Sequence, residues 1–220
     1  VRAQAVLLAH TRDDQAETVL LGLARGSGSR SLAGMASVAG IYRRPFLALG
    51  RATVAAAADA MAAAGGMAPW DDPHNLDRAF ARVRVRHDVL PLLEADLGPG
   101  IGAALARSAD LLRDDADALD EWARTQVPAL VTAPATVAAD RERTTGVDAV
   151  GLSALPRAIR TRVLRWAALS AGAPASDLTA GHVSALDTLV MDDSAGMSID
   201  LPGRVRAQRA GGRLYLTRST

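Results

Sequence analysis

The chain has 220 residues, enough for one large or two small domains with real cores, and its 25 basic side chains nearly balance 24 acidic ones for a formal net charge of +1. That balance points neither toward nor away from nucleic acid. The absence of cysteine excludes disulfides, a thiolate zinc site and a cysteine nucleophile, and it fits a cytoplasmic protein. All the basic residues are arginine, which suits bidentate phosphate contacts, although a GC-rich coding bias explains it as well and also accounts for abundant alanine and scarce aromatics. No signal peptide is visible. The longest apolar stretch, residues 52–64, carries Asp59 and falls short of the roughly 20 residues a bilayer requires, so no membrane partner is expected.

Residues 5–9, Ala-Val-Leu-Leu-Ala, are an unbroken apolar run of the kind parallel sheets bury on both faces, and a helix is expected from near Asp13 to Gly26. Between them, His10, Thr11, Arg12, Asp13, Asp14, Gln15, Ala16, Glu17 and Thr18 crowd acid, base and hydroxyl groups where a strand gives way to a helix. In open parallel sheets ligands bind at that end of the strands, and a helix N-terminus adds free N–H groups. Two readings stand side by side. Thr11-x-x-Asp14 is an acceptable capping box that needs no ligand. Alternatively, His10, Asp14 and Glu17 follow an i, i+4, i+7 spacing, share a face if the first turn is helical, and could hold a divalent cation or orient an amine. A parallel strand also needs partners. Few are visible downstream, so an N-terminal part of the domain is expected to lie outside these residues.

Residues 26–31, Gly-Ser-Gly-Ser-Arg-Ser, form a loop whose backbone either cradles a phosphate or simply caps the helix. Residues 43–47 read as a short extended segment, and the alanine-rich helix over 53–64 reads as packing alone. In the polar loop over 70–77, Pro73 pushes Asp72 out of helical geometry, and Asn75 or Asp77 can cap the next helix. There Arg78, Arg82 and Arg86 fall at i, i+4, i+8, a cationic stripe fit for polyphosphate or an RNA backbone, or else a solvated face paired with Asp71, Asp72, Asp77 and Asp88. An amphipathic helix over 101–126 reads as a bridge. After a break over 128–134 a second unit is expected, with helices near 156–171 and 180–191, strands over 197–201 and 213–216, and turns at Pro202-Gly203 and Gly211-Gly212. Its first helix carries Arg157, Arg160, Arg162 and Arg165 but no cluster of catalytic groups, so the unit reads as a binding module.

The run from His10 to Thr18, then Arg25-Gly26-Ser27-Gly28, Gly34-Met35, Arg44-Pro45, Trp70, Asp72-Pro73, Asn75, Arg82 to Arg86 and Leu90-Pro91, resembles in order and spacing the tRNA(Ile)-lysidine synthetase family of PP-loop ATP-pyrophosphatases. The match covers roughly the first 95 residues; the closing helices and Leu201-Pro202-Gly203 resemble the family's small tRNA-binding domain less specifically. The resemblance implies an α/β fold: a partial Rossmann-like parallel-sheet domain over 1–95, a helical bridge over 96–127 and a small α+β tRNA-binding domain over 128–220. It implies an enzyme that uses ATP and Mg2+ to join free lysine to the wobble cytidine of a CAU-anticodon tRNA(Ile), and it admits a homodimer. Asp14, Glu17 and Arg82 would be catalytic, with Asp14 and Glu17 as metal ligands. His10, Asp13, Arg25, Ser27, Arg30, Arg78 and Arg86 would bind substrates. The family's Ser-Gly-Gly-x-Asp-Ser ATP loop does not occur in these residues, and Val83 stands where the family usually has asparagine. The alternatives are a tRNA-binding module without catalysis and a metal-dependent hydrolase built on His10, Asp14 and Glu17.

Overall fold

The computed structural model describes residues 3–26, 28–136, 143–192 and 197–219, and the chain divides into two compact units, Val1–Ala116 and Asp117–Thr220. The fold is mixed α/β, with a sheet containing a parallel pair in the first unit and an antiparallel sheet in the second.

In the first unit β1 (Val6–Leu7) pairs in parallel with β3 (Tyr42–Arg43), which pairs antiparallel with β2 (Val38–Ala39) across a turn at Gly40 and Ile41. The partner strand that the apolar run requires is thus supplied from residues 42–43, a segment the sequence marks only as extended. The expectation of a strand buried on both faces over residues 5–9 is corrected. Only Val6 and Leu7 are in the ladder, and Leu7 is 72% exposed, because among the described residues β1 has one neighbour.

Helix α1 (Arg12–Ala24) begins at Thr11, whose φ of −108° and ψ of 175° are extended, and the Asp14 carboxylate accepts from the Thr11 N–H at 2.7 Å and from its hydroxyl at 2.8 Å. Of the two readings of Thr11-x-x-Asp14, the cap is therefore present. The helix ends where Gly26 takes a φ of 64°. A single-turn helix, α2 (Ser29–Leu32), follows where the sequence suggested only a loop, and α3 (Arg51–Ala63) starts two residues earlier than expected. A 3-10 turn (Pro73–Leu76) opens on Asp72, whose side chain accepts from the His74 N–H.

The next helical stretch is α4 (Ala81–Arg84), a π turn (Val85–Val89) and α5 (Leu90–Leu97). Pro91 has no N–H to give and crowds the carbonyl one turn back, which accounts for the widened turn immediately before it. Because this stretch starts at Ala81, the expected stripe beginning at Arg78 does not form: Arg78 lies in the preceding turn and pairs with Asp88.

Helix α6 (Ile101–Leu130) belongs to both units. Arg113 donates to the Ala33 carbonyl in the first, while Ala123 and Val127 join the core of the second. It runs through Pro128, and β4 (Val131–Thr136) follows directly, so residues 128–134 are helix end and strand rather than a break. A proline in the last turn forfeits one helical hydrogen bond, and Val131 and Thr132 then find ladder partners in Val147 and Gly146.

The second unit is a five-stranded antiparallel sheet in the order β4, β5 (Arg143–Asp148), β8 (Arg213–Arg218), β7 (Val205–Ala210), β6 (Ser198–Leu201). With α7 (Ala149–Ser153), α8 (Arg157–Ala171) and α9 (Ala180–Met191) it encloses one apolar core that includes Leu152, Ile159, Leu164, Leu186, Leu214 and Leu216. Strand β7 alternates buried Val205 and Ala207 with exposed Arg206 and Gln208, the period of a half-buried strand. Of the four arginines on α8, Arg160 faces inward. It is buried against Asp187 at 2.5 Å, with a further bond to the Leu155 carbonyl.

Candidate functional site

Helix α1 buries an unusual face. Gln15 and Glu17 are 2% and 0% exposed, beside Ala16 and Val19. A buried carboxylate survives only where cations or donors replace its water. Around Glu17 three guanidinium groups do so: Arg86 through Nε at 2.8 Å and Nη2 at 3.1 Å, Arg51 at 3.0 Å and Arg82 through Nε at 3.4 Å. Arg51 and Arg86 also reach Oδ1 of Asp14, at 2.8 Å and 3.2 Å. Asp14 therefore uses one oxygen for the helix cap and the other for the arginines. Burial works to raise its pKa, but the two bonds from Thr11 and the charges of Arg51 and Arg86 outweigh it and hold the carboxyl below its ordinary value. The bond to Glu17, against a smaller effect of burial, pushes the Arg86 guanidinium above its usual range.

Each arginine is aimed by its element. Arg82 and Arg86 are one turn apart on the 81–97 helix, and Arg82 is held again by the Thr18 hydroxyl at 2.8 Å. Arg51 is the first residue of α3, and its backbone N–H donates to Asp13 at 2.7 Å. Asp13 thus caps a neighbouring helix rather than pointing away from the fold. Arg51 was missed in the sequence, where α3 reads as packing alone; no spacing pattern links it to Asp14 and Glu17, because it lies more than thirty positions downstream on a separate element.

His10 is corrected. Helix α1 starts only at Arg12, so His10 lies outside it and does not share the face of Asp14 and Glu17. Its Nδ1 accepts from Nε of Arg44 at 3.2 Å, and Arg44 also donates to the Ala36 carbonyl at 2.8 Å. The loop carrying Ala36 is clamped by Gln15, whose amide accepts from the Met35 N–H at 2.7 Å and donates to the Met35 carbonyl at 3.0 Å. Gln15 lies so close that a Cβ on Gly34, whose φ is 60°, would fall 2.5 Å from its oxygen.

The structure does not gather the remaining expected residues here. Arg25 is the C-cap of α1, about 20 Å from its N-terminus by helical rise, and Arg30 is exposed on α2 beyond it. Ser27 lies outside the described residues. Arg78 pairs with Asp88.

A cavity of about 200 Å³ adjoins the cluster, walled by Arg51 and Arg86 and by the carboxylates of Asp13, Glu17 and Glu94. Glu94 accepts from the Gly102 N–H at 2.8 Å, and backbone bonds from Gly102, then Gly100 and Ile101, hold its carboxyl below the ordinary value against a weaker opposing effect of desolvation. Among the described residues no three His, Asp or Glu side chains stand together as metal ligands. The oxygens of Asp14 and Glu17 face guanidinium groups instead, an arrangement that does not fit a magnesium ion.

A buried glutamate and a half-buried aspartate wrapped in arginines, on the first turns of the helix that follows a parallel strand, place the site in an α/β domain at the end of its strands. Residues 1–93 match the PP-loop domain, and residues 148–215 match the TilS substrate binding domain. The chain is 56% identical over 216 residues to a tRNA(Ile)-lysidine synthase of Thermobifida fusca, covering 98% of this chain and 62% of that protein. It is 53% identical over 217 residues to one of Streptomyces coelicolor (97% and 58%), and 48% identical over 212 residues to one of Leifsonia xyli (96% and 60%). The chain belongs to the tRNA(Ile)-lysidine synthase family, and it spans about three fifths of the length of these relatives. Among the described residues no single helix is long and apolar enough to cross a membrane.

Proposed function

We propose that this chain forms part of a cytoplasmic ligase that joins free lysine to C2 of the wobble cytidine of a CAU-anticodon tRNA(Ile) at the expense of ATP. In that chemistry the cytosine O2 attacks the α-phosphate of ATP and releases pyrophosphate, and the lysine amine then attacks C2, loses a proton and expels AMP. The observation that carries the reading is the cavity beside Glu17. With Glu17 taken up by the arginines, the wall still offers the carboxylates of Asp13 and Glu94 beside Arg51 and Arg86, groups of both signs that suit a small zwitterion carrying ammonium and carboxylate groups, as free lysine does. Arg51 and Arg86 would take the lysine carboxylate, while Asp13 and Glu94 would orient an ammonium group.

Arg82 is the guanidinium best placed to meet a phosphate or the target nucleotide. Its side chain is 43% exposed and its contact with Glu17 is the longest of the three. Because the carboxylates are occupied by arginines, no role is routed through Mg2+. The second unit would hold the tRNA.

The test is incorporation of labelled lysine into a CAU-anticodon tRNA(Ile) transcript by the protein carrying these residues, with and without ATP. ATP-dependent incorporation, abolished when the anticodon is changed to GAU, supports the proposal. Binding of the tRNA without incorporation refutes it and leaves a tRNA-binding module.

A further inference from the structure

The second unit contains an open groove of about 210 Å³ between the last turns of α6 and helix α8. Ala123, Val127, Val163 and Leu169 make its apolar lining, and Trp166 stands at its wall with 42% of its surface exposed. Three arginines, Arg124, Arg162 and Arg165, border the same space. Arg162 is braced across it by Asp120 at 2.6 Å, and Arg165 is tied to the Leu178 carbonyl at 2.7 Å, so both guanidinium groups are held in place rather than free to sweep through solvent. The chain has only three tryptophans, and this one sits at the edge of a cavity instead of completing a core.

We infer that this groove is a binding site for a single unpaired RNA nucleotide, its base laid against Trp166 and its phosphate met by the bordering arginines. The cavity is smaller than the roughly 300–1,000 Å³ of drug-sized sites, which suits one planar ring system rather than a stacked pair. Aromatic faces accept any base by stacking, and arginines supply the backbone contacts, the combination that single-strand binding requires. The groove's three guanidinium groups outnumber the single carboxylate of the lining, Asp120, so the rim is net cationic and suits a phosphate better than an apolar or basic peptide side chain. The inference rests on the proposal that this unit handles tRNA, but it concerns a different place from the Glu17 cluster and is tested without turnover.

The experiment uses the chain with Trp70→Phe and Trp122→Phe, so that Trp166 is the sole tryptophan emitter. It is titrated with a single-stranded oligoribonucleotide and, separately, with an RNA duplex of equal length. Saturable quenching by the single strand is expected, with affinity weakened about 5- to 150-fold when Trp166→Leu is measured by a label on the RNA, the range for one base–aromatic stack. Trp166→Phe should retain most of the affinity, since it keeps a stacking face, whereas a merely structural role would treat Leu and Phe alike. Equal quenching by the duplex, no difference between Leu and Phe, or quenching by an acidic peptide but not by RNA would each overturn the inference. Lysine incorporation measured alongside separates the two readings: its absence with single-strand quenching intact removes the proposed ligase and leaves this site, while normal incorporation with no quenching removes this site alone.

Discussion

Replacing Glu17 by glutamine tests whether the buried carboxylate is the keystone of the first unit. The side chain is fully buried and is approached by three arginines whose own side chains are 20%, 35% and 43% exposed. Breaking a fully buried ion pair costs about 3–5 kcal/mol because the partner charge is left uncompensated. Here the partners are only partly buried and Asp14 still faces two of them, so the lower end applies, about 2–4 kcal/mol. Glutamine keeps the volume and one acceptor oxygen but turns an amide donor toward guanidinium donors, which isolates the electrostatic effect from packing. A chain of two units has no single two-state unfolding free energy. The assay is therefore amide hydrogen exchange resolved by segment across a urea series, with α1 as reporter and α8 as internal control. Loss of α1 protection should move down by about 1–2 M urea, taking a slope of about 2 kcal/mol per molar, with α8 unchanged. A shift in α1 below about 0.5 kcal/mol, the size of an ordinary surface substitution, would show that the arginines do not depend on Glu17 for their placement.

Asp14 should contribute an acid-sensitive element. Its folded pKa is below the reference 3.8, so between the two values the unfolded chain binds more protons; the stability is fully present above the unfolded value and is lost as pH falls through the folded one. Asp14→Asn should therefore flatten the acid limb of the α1 unfolding curve below about pH 4, followed by the same exchange measurement as a function of pH. Gly34→Ala should destabilise the first unit by about 3 kcal/mol, combining about 1–2 kcal/mol for left-handed backbone with displacement of the Gln15 amide. In a Gln15→Ala background only the backbone part should remain, so a double-mutant cycle that comes out additive would contradict the clash. Thr145 is fully buried in β5, and its hydroxyl finds no hydrogen-bond partner among the described residues, so Thr145→Val should leave the second unit unchanged or stabilise it by about 1 kcal/mol; a clear loss measured by thermal unfolding would mean the hydroxyl has a partner.

The parts of this protein that were legible in the sequence are those set by near neighbours in the chain. Thr11 and Asp14 are three positions apart, and that spacing alone specifies the cap. Arg82 and Arg86 are one helical turn apart, so their common direction could be expected. Helix α9 has the bounds its periodicity predicts. Local pattern misleads where it competes with packing. Strand β7 carries Arg206 and Arg209 and only small or β-branched apolar residues, so its alternation is faint, and β4 hides behind two prolines. Arg78 joined a supposed stripe because spacing by fours is meaningful only once a helix has begun, and this one begins at Ala81.

The sequence by itself determined that a capped helix follows an apolar strand, that acid, base and hydroxyl side chains crowd residues 10–18 at that junction, and that a second, binding-type unit follows. These are consequences of dihedral preference, periodicity and composition, which act over a few residues. Only the tertiary structure decided that Glu17 is buried, that Arg51 shares it with Arg82 and Arg86, that His10 turns to Arg44, and that Arg160 is spent on Asp187 while Trp166 is left at an open groove. Each of these depends on which side chains from distant segments meet when elements pack. A charge placed by helical spacing can face water or a partner equally well until the neighbouring element supplies the counter-charge, and burial then makes that choice worth several kcal/mol.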